Sequence, residues 1–421
     1  MDDRCDIAIV GAGAAGLMAA IHAAGGDAVR PGGARQRPHV VALDGARKIG
    51  AKILIAGGGR CNVTNETVEP ADFNGSSQHS IRKILGRLDV EHTVRFFEKI
   101  GVNLKSEPGG KLFPTTDRAA TVLAALLEAA SRAGVELHNP RPVTAIERRG
   151  AGYRVVGDWG VIEARRVILS AGGRSLPSTG SDGSGFGLAR SLGHSLTEDV
   201  FPALVPLKLP DGHPLRSLSG VSKQVRLEVR SATGARLAQT RGALLCTHFG
   251  VSGPAVLDIS RHWWAARRED PGVSLICDWL PAIEADALDS LLREHGPGSV
   301  AGRLRGRLPA RLLETLCAQA DVDSGCAAAE LSRASRRALV TMLEASVLPV
   351  EDVRGWNFAE VTAGGVPLAE LDPRTLESRV APGLHLCGEI CDVDGRIGGF
   401  NFQWAWSSGY VAGRSAAASL S

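Results

Sequence analysis

The chain has 421 residues, of which 44% are hydrophobic and 22% charged, with a formal net charge of +3. At about 100–200 residues per domain this suffices for two to four domains with a sizeable core, and it excludes a disordered or fibrous chain. The 51 glycines are clustered rather than periodic, which excludes a collagen-like repeat, and a charge this near neutral does not announce a nucleic-acid binder.

No apolar run approaches the ~18 residues of a membrane span, so no membrane partner is expected. The first predicted strand begins at Asp6, leaving no room for a signal peptide, and a cytoplasmic protein is expected. The eight cysteines, at positions 5, 61, 246, 277, 317, 326, 387 and 391, form no CxxC pair and are expected to be structural thiols, with no metal site.

In chain order, Asp6–Val10 reads as a buried parallel strand. Gly11-Ala-Gly-Ala-Ala-Gly16 follows it, and Leu17–Ala24 has helical composition. A polar, Pro/Gly/Arg-rich segment to Pro38 precedes the strand Val40–Asp44. Helical composition covers Ser80–Ile100 and Thr116–Ala133, and Val161–Ala171 resembles a hairpin arm feeding a Gly-rich turn. From Phe201 the character changes. Strand-like segments at Ala203–Leu209, Lys223–Arg230 and Val273–Trp279 suggest an inserted β domain. Glu284–Ser346 is Leu/Ala/Arg-rich and helical, Val353–Thr362 reads as a strand returning to the β domain, and a Gly-rich tail from Ala363 ends in a helix over Trp404–Ala418.

The GAGAAG turn sits where a dinucleotide fingerprint must sit, after a strand and opening a helix. Gly11 permits the tight turn, Gly13 lets a pyrophosphate approach the backbone, and Gly16 lets helix and strand pack closely. The helix N-terminus then faces the phosphates. Asp44 ends the second strand, where an acidic residue binds a ribose hydroxyl, although it lies further along than the usual ~20 residues. The polar loop accounts for the excess, since surface loops lengthen at little cost. Further Gly-rich or acidic turns recur at Ala171-Gly-Gly173 and at Gly388-Glu389, Asp392, Asp394 and Gly398–Asn401. A large cofactor touched by both chain ends fits this pattern, and FAD fits better than NAD alone. Gly183–Gly187 follows no strand and reads as a loop before a helix, so no dedicated NAD(P)H domain is visible.

Six segments together carry a resemblance: Gly11–Gly16, Lys52–Asn65 (KILIAGGGRCNVTN), Gly109–Pro114, Thr247–Pro254, Val361–Val366 and Gly388–Gly409. In this order, spanning nearly the whole chain, they resemble the BaiN/RdsA-like (aminoacetone-oxidase-family) NAD(P)/FAD-dependent flavoproteins. The resemblance implies an α/β and β fold, in which a two-segment Rossmann-like FAD domain (1–200 and 363–421) brackets an inserted β-barrel (201–283, returning over 347–362). The barrel carries a helical subdomain (284–346). By position, the family's FAD contacts fall on Gly11, Gly13, Ala14, Ala15, Gly16, Asp44, Arg60, Cys61, Asn62, Ala171, Gly172, Gly388, Glu389, Asp394, Gly399, Phe400, Asn401 and Gln403. The family usually has Glu-Lys where this chain has Asp44-Gly45, and it lacks so long a loop at 25–38. Some members resemble reductases of conjugated C=C bonds. Others resemble enzymes that make dihydrouridine in ribosomal RNA.

A C=C reductase needs a hydride at one carbon and a proton at the other. His248, in the Gly/Ser/Pro-rich loop Thr247–Pro254, and Cys61 are the candidate proton donors, and NAD(P)H is the expected reductant. Arg60 suits a phosphate, a flavin carbonyl or an anionic substrate alike. Arg303, Arg305, Arg307, Arg311, Arg333, Arg336 and Arg337 offer a basic face for ribosomal RNA, offset by Glu284, Asp286, Asp321 and Asp323. The substrate, a small enone-like molecule or a uracil in ribosomal RNA, stays open at this level, as does the oligomeric state. Two further readings are a flavin amine oxidase and a non-catalytic FAD-binding scaffold or redox sensor.

Overall fold

The fold is that of a computed structural model, which describes residues 4–25, 37–294 and 298–420. The chain divides into two compact units, Met1–Pro202 with Glu360–Ser421, and Ala203–Ala359.

The first unit is organised by strand β1 (Arg4–Val10), buried on both faces beyond its first residues, as a central parallel strand must be. Helix α1 (Ala14–Ala23) follows after a three-residue turn and is apolar all round, and residues 15–23 are all buried. Strand β2 (Val40–Leu43) pairs parallel to β1, and β3 (Glu136–His138) parallel to β2. A meander then runs β4 (Ala145–Arg149), β5 (Gly152–Gly157) and β6 (Gly160–Leu169). Strand β6 serves two partners on one side. Its first half pairs antiparallel with β5, and its last three residues pair parallel with β7 (Leu384–Leu386), brought back from the far end of the chain. On its other side β6 runs parallel to β1. The sheet order is thus β3-β2-β1-β6-β5-β4, with β7 added beside β6.

Register decides what this sheet is for. Val10 lies opposite both Leu43 and Leu169, and Leu169 lies opposite Leu386. Four parallel strands therefore end level, and the turns after them, at Gly11, Asp44, Ser170 and Cys387, form one row. The crevice outside the carboxyl ends of parallel strands is where open α/β sheets bind ligands.

The terminal helix α2 (Phe400–Ala418) starts four residues before the expected Trp404 and lies against α1. A Cβ on Gly409 would sit 2.4 Å from the Ala15 carbonyl oxygen, and one on Gly413 would sit 2.2 Å from that of Ala19. Only glycine permits this backbone-to-backbone approach. Elsewhere the expected helical stretch Ser80–Ile100 is broken into Gln78–Leu85 and Val90–Lys99, because Asp89 caps a new helix through the His92 amide at 2.9 Å. Most of the polar segment 25–38 lies outside the described residues.

The second unit is a seven-stranded antiparallel sheet with helices. Its ladder runs Ser346–Leu348, Ser274–Asp278, Ser222–Arg230, Arg236–Thr247, Gly250–Ser252, Leu207–Lys208, Asp352–Val353. The two edge strands are thus separated by only three residues of sequence, a reach of about 14 Å. A flat sheet of this width would hold them ~29 Å apart. The sheet must therefore curl to bring its edges together. Among the described residues, the helical segment holds the α-helices Ala285–Arg293, Val300–Arg303, Ala310–Gln319 and Arg333–Ala345. The return expected as one strand over Val353–Thr362 is instead two short strands, Asp352–Val353 and Val361–Ala363, divided by the turn Trp356–Phe358. The positive φ of Gly355 reverses the chain there.

Gly413→Ala should destabilise the first unit by about 1–3 kcal/mol, since the added methyl meets backbone that cannot swing aside. Urea denaturation checks it, and a change below about 0.5 kcal/mol would show that the two helices can separate freely.

Candidate dinucleotide site

The row of strand ends gathers most of the sequence-predicted contacts in one unit. Gly11 is held in the left-handed region at φ +97°, and its amide donates to the Leu43 carbonyl at 2.8 Å. A Cβ on Gly16 would lie 1.9 Å from the Gly11 carbonyl oxygen, which fixes glycine there. Gly13 is different, for a Cβ there would meet nothing within 4 Å. It precedes the N-terminus of α1, where Ala14, Ala15 and Gly16 have no side-chain cap. Those first-turn amides have no partner within the helix and form the positive end of its dipole.

Asp44 is bound to this turn directly. Its Oδ2 accepts from the Ala12 amide at 2.7 Å, and its Oδ1 accepts from the Ala46 amide at 2.8 Å. Burial raises its carboxyl above the ordinary carboxylate range, against the pull of the Ala46 and Ala12 amides. The shorter Asp, where the resembled family has Glu, thus ties the second strand to the glycine turn.

Segment 56–62 winds through three successive left-handed glycines, Gly57–Gly59, and then Cys61 at φ +62°. Arg60 stacks its guanidinium 4.1 Å from the Phe113 ring centroid and pairs with Glu107 at 2.8 Å, so it is engaged within the protein. Cys61 is fully buried, and burial pushes its thiol up to about 12. A thiol so placed keeps its proton at neutral pH, and packing is the role its surroundings favour. Asn62 follows, nearly buried, and its side-chain Oδ1 has no hydrogen-bond partner among the described residues.

From the far end of the chain, Gly388 sits against α1, where a Cβ would lie 2.7 Å from that of Ala15. Helix α2 holds it, for the Gly388 amide donates to Ser408 Oγ at 3.0 Å and its carbonyl accepts from Trp404 Nε1 at 3.0 Å. Trp406 Nε1 donates to the Val63 carbonyl at 2.8 Å, so the same helix also fixes the segment carrying Asn62. Gly399 precedes α2 at φ +98°, pressed on the Thr64 backbone. Phe400 is buried, and Asn401 closes the turn by accepting from the Gly395 amide at 2.8 Å. Asp394 is buried and accepts from Asn74 Nδ2 at 3.2 Å.

Two predicted contacts have other tasks. Gln403 is buried, and its amide donates to the Leu88 carbonyl, Thr93 and Ser407 while accepting from Thr64 Oγ1. Its donors are spent inside the protein. Glu389 accepts from Lys52 Nζ at 2.6 Å on one oxygen, and from Ser175 and the Thr362 amide and hydroxyl on the other. It clasps three segments remote in sequence. Lys52, Ser175 and Thr362 carried no local signal beyond lying in or beside motif segments.

Ala171 and Gly172 follow β6, with Gly172 at φ +74°. A Cβ there would lie 2.9 Å from Ser181 Oγ, and that hydroxyl is buried with no partner among the described residues. Its signal was only a serine in a Gly-rich loop. His248 belongs to the second unit, in the turn between Arg236–Thr247 and Gly250–Ser252, and is exposed.

These features fit a dinucleotide. Of the buried side-chain atoms without a partner among the described residues, Asn62 Oδ1 and Ser181 Oγ belong to this site, and native interiors seldom tolerate such atoms without a ligand or water. The uncapped α1 N-terminus and the open face of Gly13 accept a pyrophosphate. No group of His, Cys, Asp and Glu suited to a metal occurs among the described residues, and all eight cysteines are free thiols. No helix among them is long and apolar enough to cross a membrane.

Asn62→Leu should leave the apoprotein at least as stable as the wild type, because the lost carbonyl has no protein partner, and should weaken dinucleotide binding about tenfold. Thermal denaturation and equilibrium dialysis separate the two effects. A destabilised apoprotein with unchanged affinity would contradict the assignment.

Residues 5–415 match the family described as the HI0933-like protein Rossmann domain. The chain is 38% identical over 416 residues to a 3-dehydro-bile acid delta(4,6)-reductase of Clostridium scindens, covering 98% of both chains. It is 31% identical over 412 residues to a ribosomal RNA dihydrouridine synthase of Escherichia coli, covering 97% of both. Among solved structures, 3-ketosteroid delta1-dehydrogenase from Sterolibacterium denitrificans shares the fold with a TM-score of 0.53 at 12% identity, over 99% of this chain and 100% of that one. With its glycine turn, level strand ends and paired terminal helix, the chain belongs to the HI0933-like Rossmann family of flavoprotein oxidoreductases.

Proposed function

We propose that this protein is an FAD-dependent reductase of an activated C=C bond, taking electrons from NAD(P)H and acting on a small enone-like molecule. The observation that carries the reading is the row of strand-end turns at Gly11, Asp44, Ala171 and Gly388, backed by 38% identity over 416 residues to a delta(4,6)-reductase. Bound FAD would supply the hydride chemistry.

The chain's own residues have distinct tasks in this reading. The α1 amides and Gly13 receive the pyrophosphate, and Asp44 receives a ribose hydroxyl on the lone pairs left after its two backbone bonds. Asn62 and Ser181 bond the cofactor through their unpartnered oxygens. The Lys52–Glu389 clasp and the Trp404 and Ser408 bonds to Gly388 are positioning contacts. His248 is the proton donor. Its ring is exposed, its ring nitrogens have no hydrogen bond among the described residues, and its edge rests on Phe249. The curled sheet of the second unit supports the inserted barrel that the family resemblance implies.

A ribosomal RNA substrate is the weaker reading. Of the arginines in the helical segment, Arg303 pairs with Glu294 and Arg336 with Asp289, both at 2.7 Å, which neutralises part of the basic face. Trp263 is buried in the core rather than offered to a base.

Chemically reduced holoprotein, mixed without air with a 3-oxo-4,6-diene steroid, should form a product two mass units heavier. Unmodified ribosomal RNA should not gain dihydrouridine. The opposite pair of results would move the substrate to RNA, and no product from either would overturn the reductase reading. His248→Ala should slow the reaction about a hundredfold or more, in the range of a lost general acid. Cys61→Ala should stay within a few-fold of wild type in rate, and a loss as large as that of His248→Ala would return Cys61 to the proton-donor role.

A further inference from the structure

The second unit holds a guanidinium with no hydrogen-bond or ion-pair partner among the described residues. The Arg354 Cζ lies 3.8 Å from the centroid of the Phe249 ring and 3.7 Å from that of the Phe358 ring. Two rings cannot both approach a planar cation this closely from one side, so they cover its opposite faces. Stacking on both faces leaves the N–H donors directed outward around the edge of the plane. Among the described residues no hydrogen bond or ion pair involves that guanidinium. Its acidic sequence neighbour Asp352 turns its Oδ1 to the Val353 amide at 2.7 Å instead.

The contrast with Arg216 is sharp. Arg216 bonds to the Asp211 carboxylate, the Leu209 carbonyl at 3.2 Å and the His248 carbonyl at 2.8 Å, and so braces the turn that carries His248. Arg354 makes no such bond with its guanidinium among the described residues.

Backbone builds the sandwich. The Arg354 amide donates to the Pro206 carbonyl at 2.8 Å, Gly355 turns the chain at φ +88°, and the Phe358 amide closes the turn on the Gly355 carbonyl at 3.1 Å. Phe358 remains 44% exposed, so the outer side of the stack borders solvent. The His248 ring meets Phe249 edge-on, with centroids 5.0 Å apart, so the candidate proton donor and the free cation flank one aromatic ring.

We propose that Arg354 is an anion-binding residue, held rigid between Phe249 and Phe358 to grip a carboxylate or phosphate group of the substrate beside His248. A fixed planar fork suits bidentate bonding to either group, and its ordering cost is met by the stack before any ligand arrives. Binding of the anion does not depend on the reductase reading, although its identity as substrate rests on it. The two sources of such an anion are the side-chain carboxylate of a steroid acid and the phosphates of RNA.

The test is equilibrium dialysis of FAD-loaded protein at low salt with three probes, cholic acid, its methyl ester and a short uridine-containing RNA oligonucleotide. Wild type, Arg354→Met and Arg354→Lys are compared, with melting temperature as a folding control. Wild type should bind at least one anion, and Arg354→Met should weaken that binding about tenfold or more while leaving the ester unchanged. Arg354→Lys should restore part of the loss. A loss confined to cholic acid assigns the carboxylate, and one confined to the oligonucleotide assigns the phosphate. If Arg354→Met does not fold, Phe358→Leu, which removes one face of the stack, should show the same selective loss. Failure of the wild type to bind either anion, or equal affinity in wild type and variant, overturns the proposal. Selective anion binding in a protein that reduces no alkene would leave this site standing and remove the reductase reading instead.

Discussion

The contact on which the first unit depends is the pairing of helices α1 and α2, residues 14–23 against 400–418. Gly409 and Gly413 bring the last helix of the chain onto the backbone of the first. Because α1 leaves the glycine turn, this contact fixes the far end of the chain relative to the fingerprint. Trp404 and Ser408, on the same helix, then grip the backbone carbonyl and amide of Gly388. Trp406 reaches in another direction to the Val63 carbonyl. One helix therefore sets three segments, and an indole N–H suits the two carbonyl grips because it carries its donor on a large, rigid, apolar body.

The interior chemistry of the site follows from that clamp. Most of its groups are satisfied by protein, as at Gln403, Glu389 and Asp44. Against that background the unpartnered Asn62 Oδ1 and Ser181 Oγ stand out, because burying a polar atom without a partner costs roughly 1–3 kcal/mol. A bound dinucleotide would remove that cost, which couples cofactor binding to the stability of the unit.

Much of this was legible in the sequence, for physical reasons that differ by element. The fingerprint was readable because its requirements are local, namely a strand, three glycines and a helix. Strands β1 and β2 were readable as short apolar runs, whereas β3 and β7, three residues each, carry too short a pattern to be read. The role of Gln403 was not, because a motif position says that a residue matters and not which way its side chain turns. Lys52 and Glu389 are 337 residues apart, and no local pattern announces such a pair. The single returning strand failed at Gly355, whose φ is open to few other residues, and the break at Asp89 was a capping signal inside a stretch read only by composition. The Arg354 sandwich joins residues 249, 354 and 358, and only the folded chain brings them together, with no ion-pair partner for Arg354 among the described residues.

The most direct test of the account is a crystal structure of the protein with FAD bound. The account predicts the pyrophosphate at the N-terminus of residues 14–23 beside Gly13, a ribose hydroxyl on Asp44, and new hydrogen bonds to Asn62 Oδ1 and Ser181 Oγ. FAD bound elsewhere, or bound there with both of those atoms still unpartnered, would contradict it.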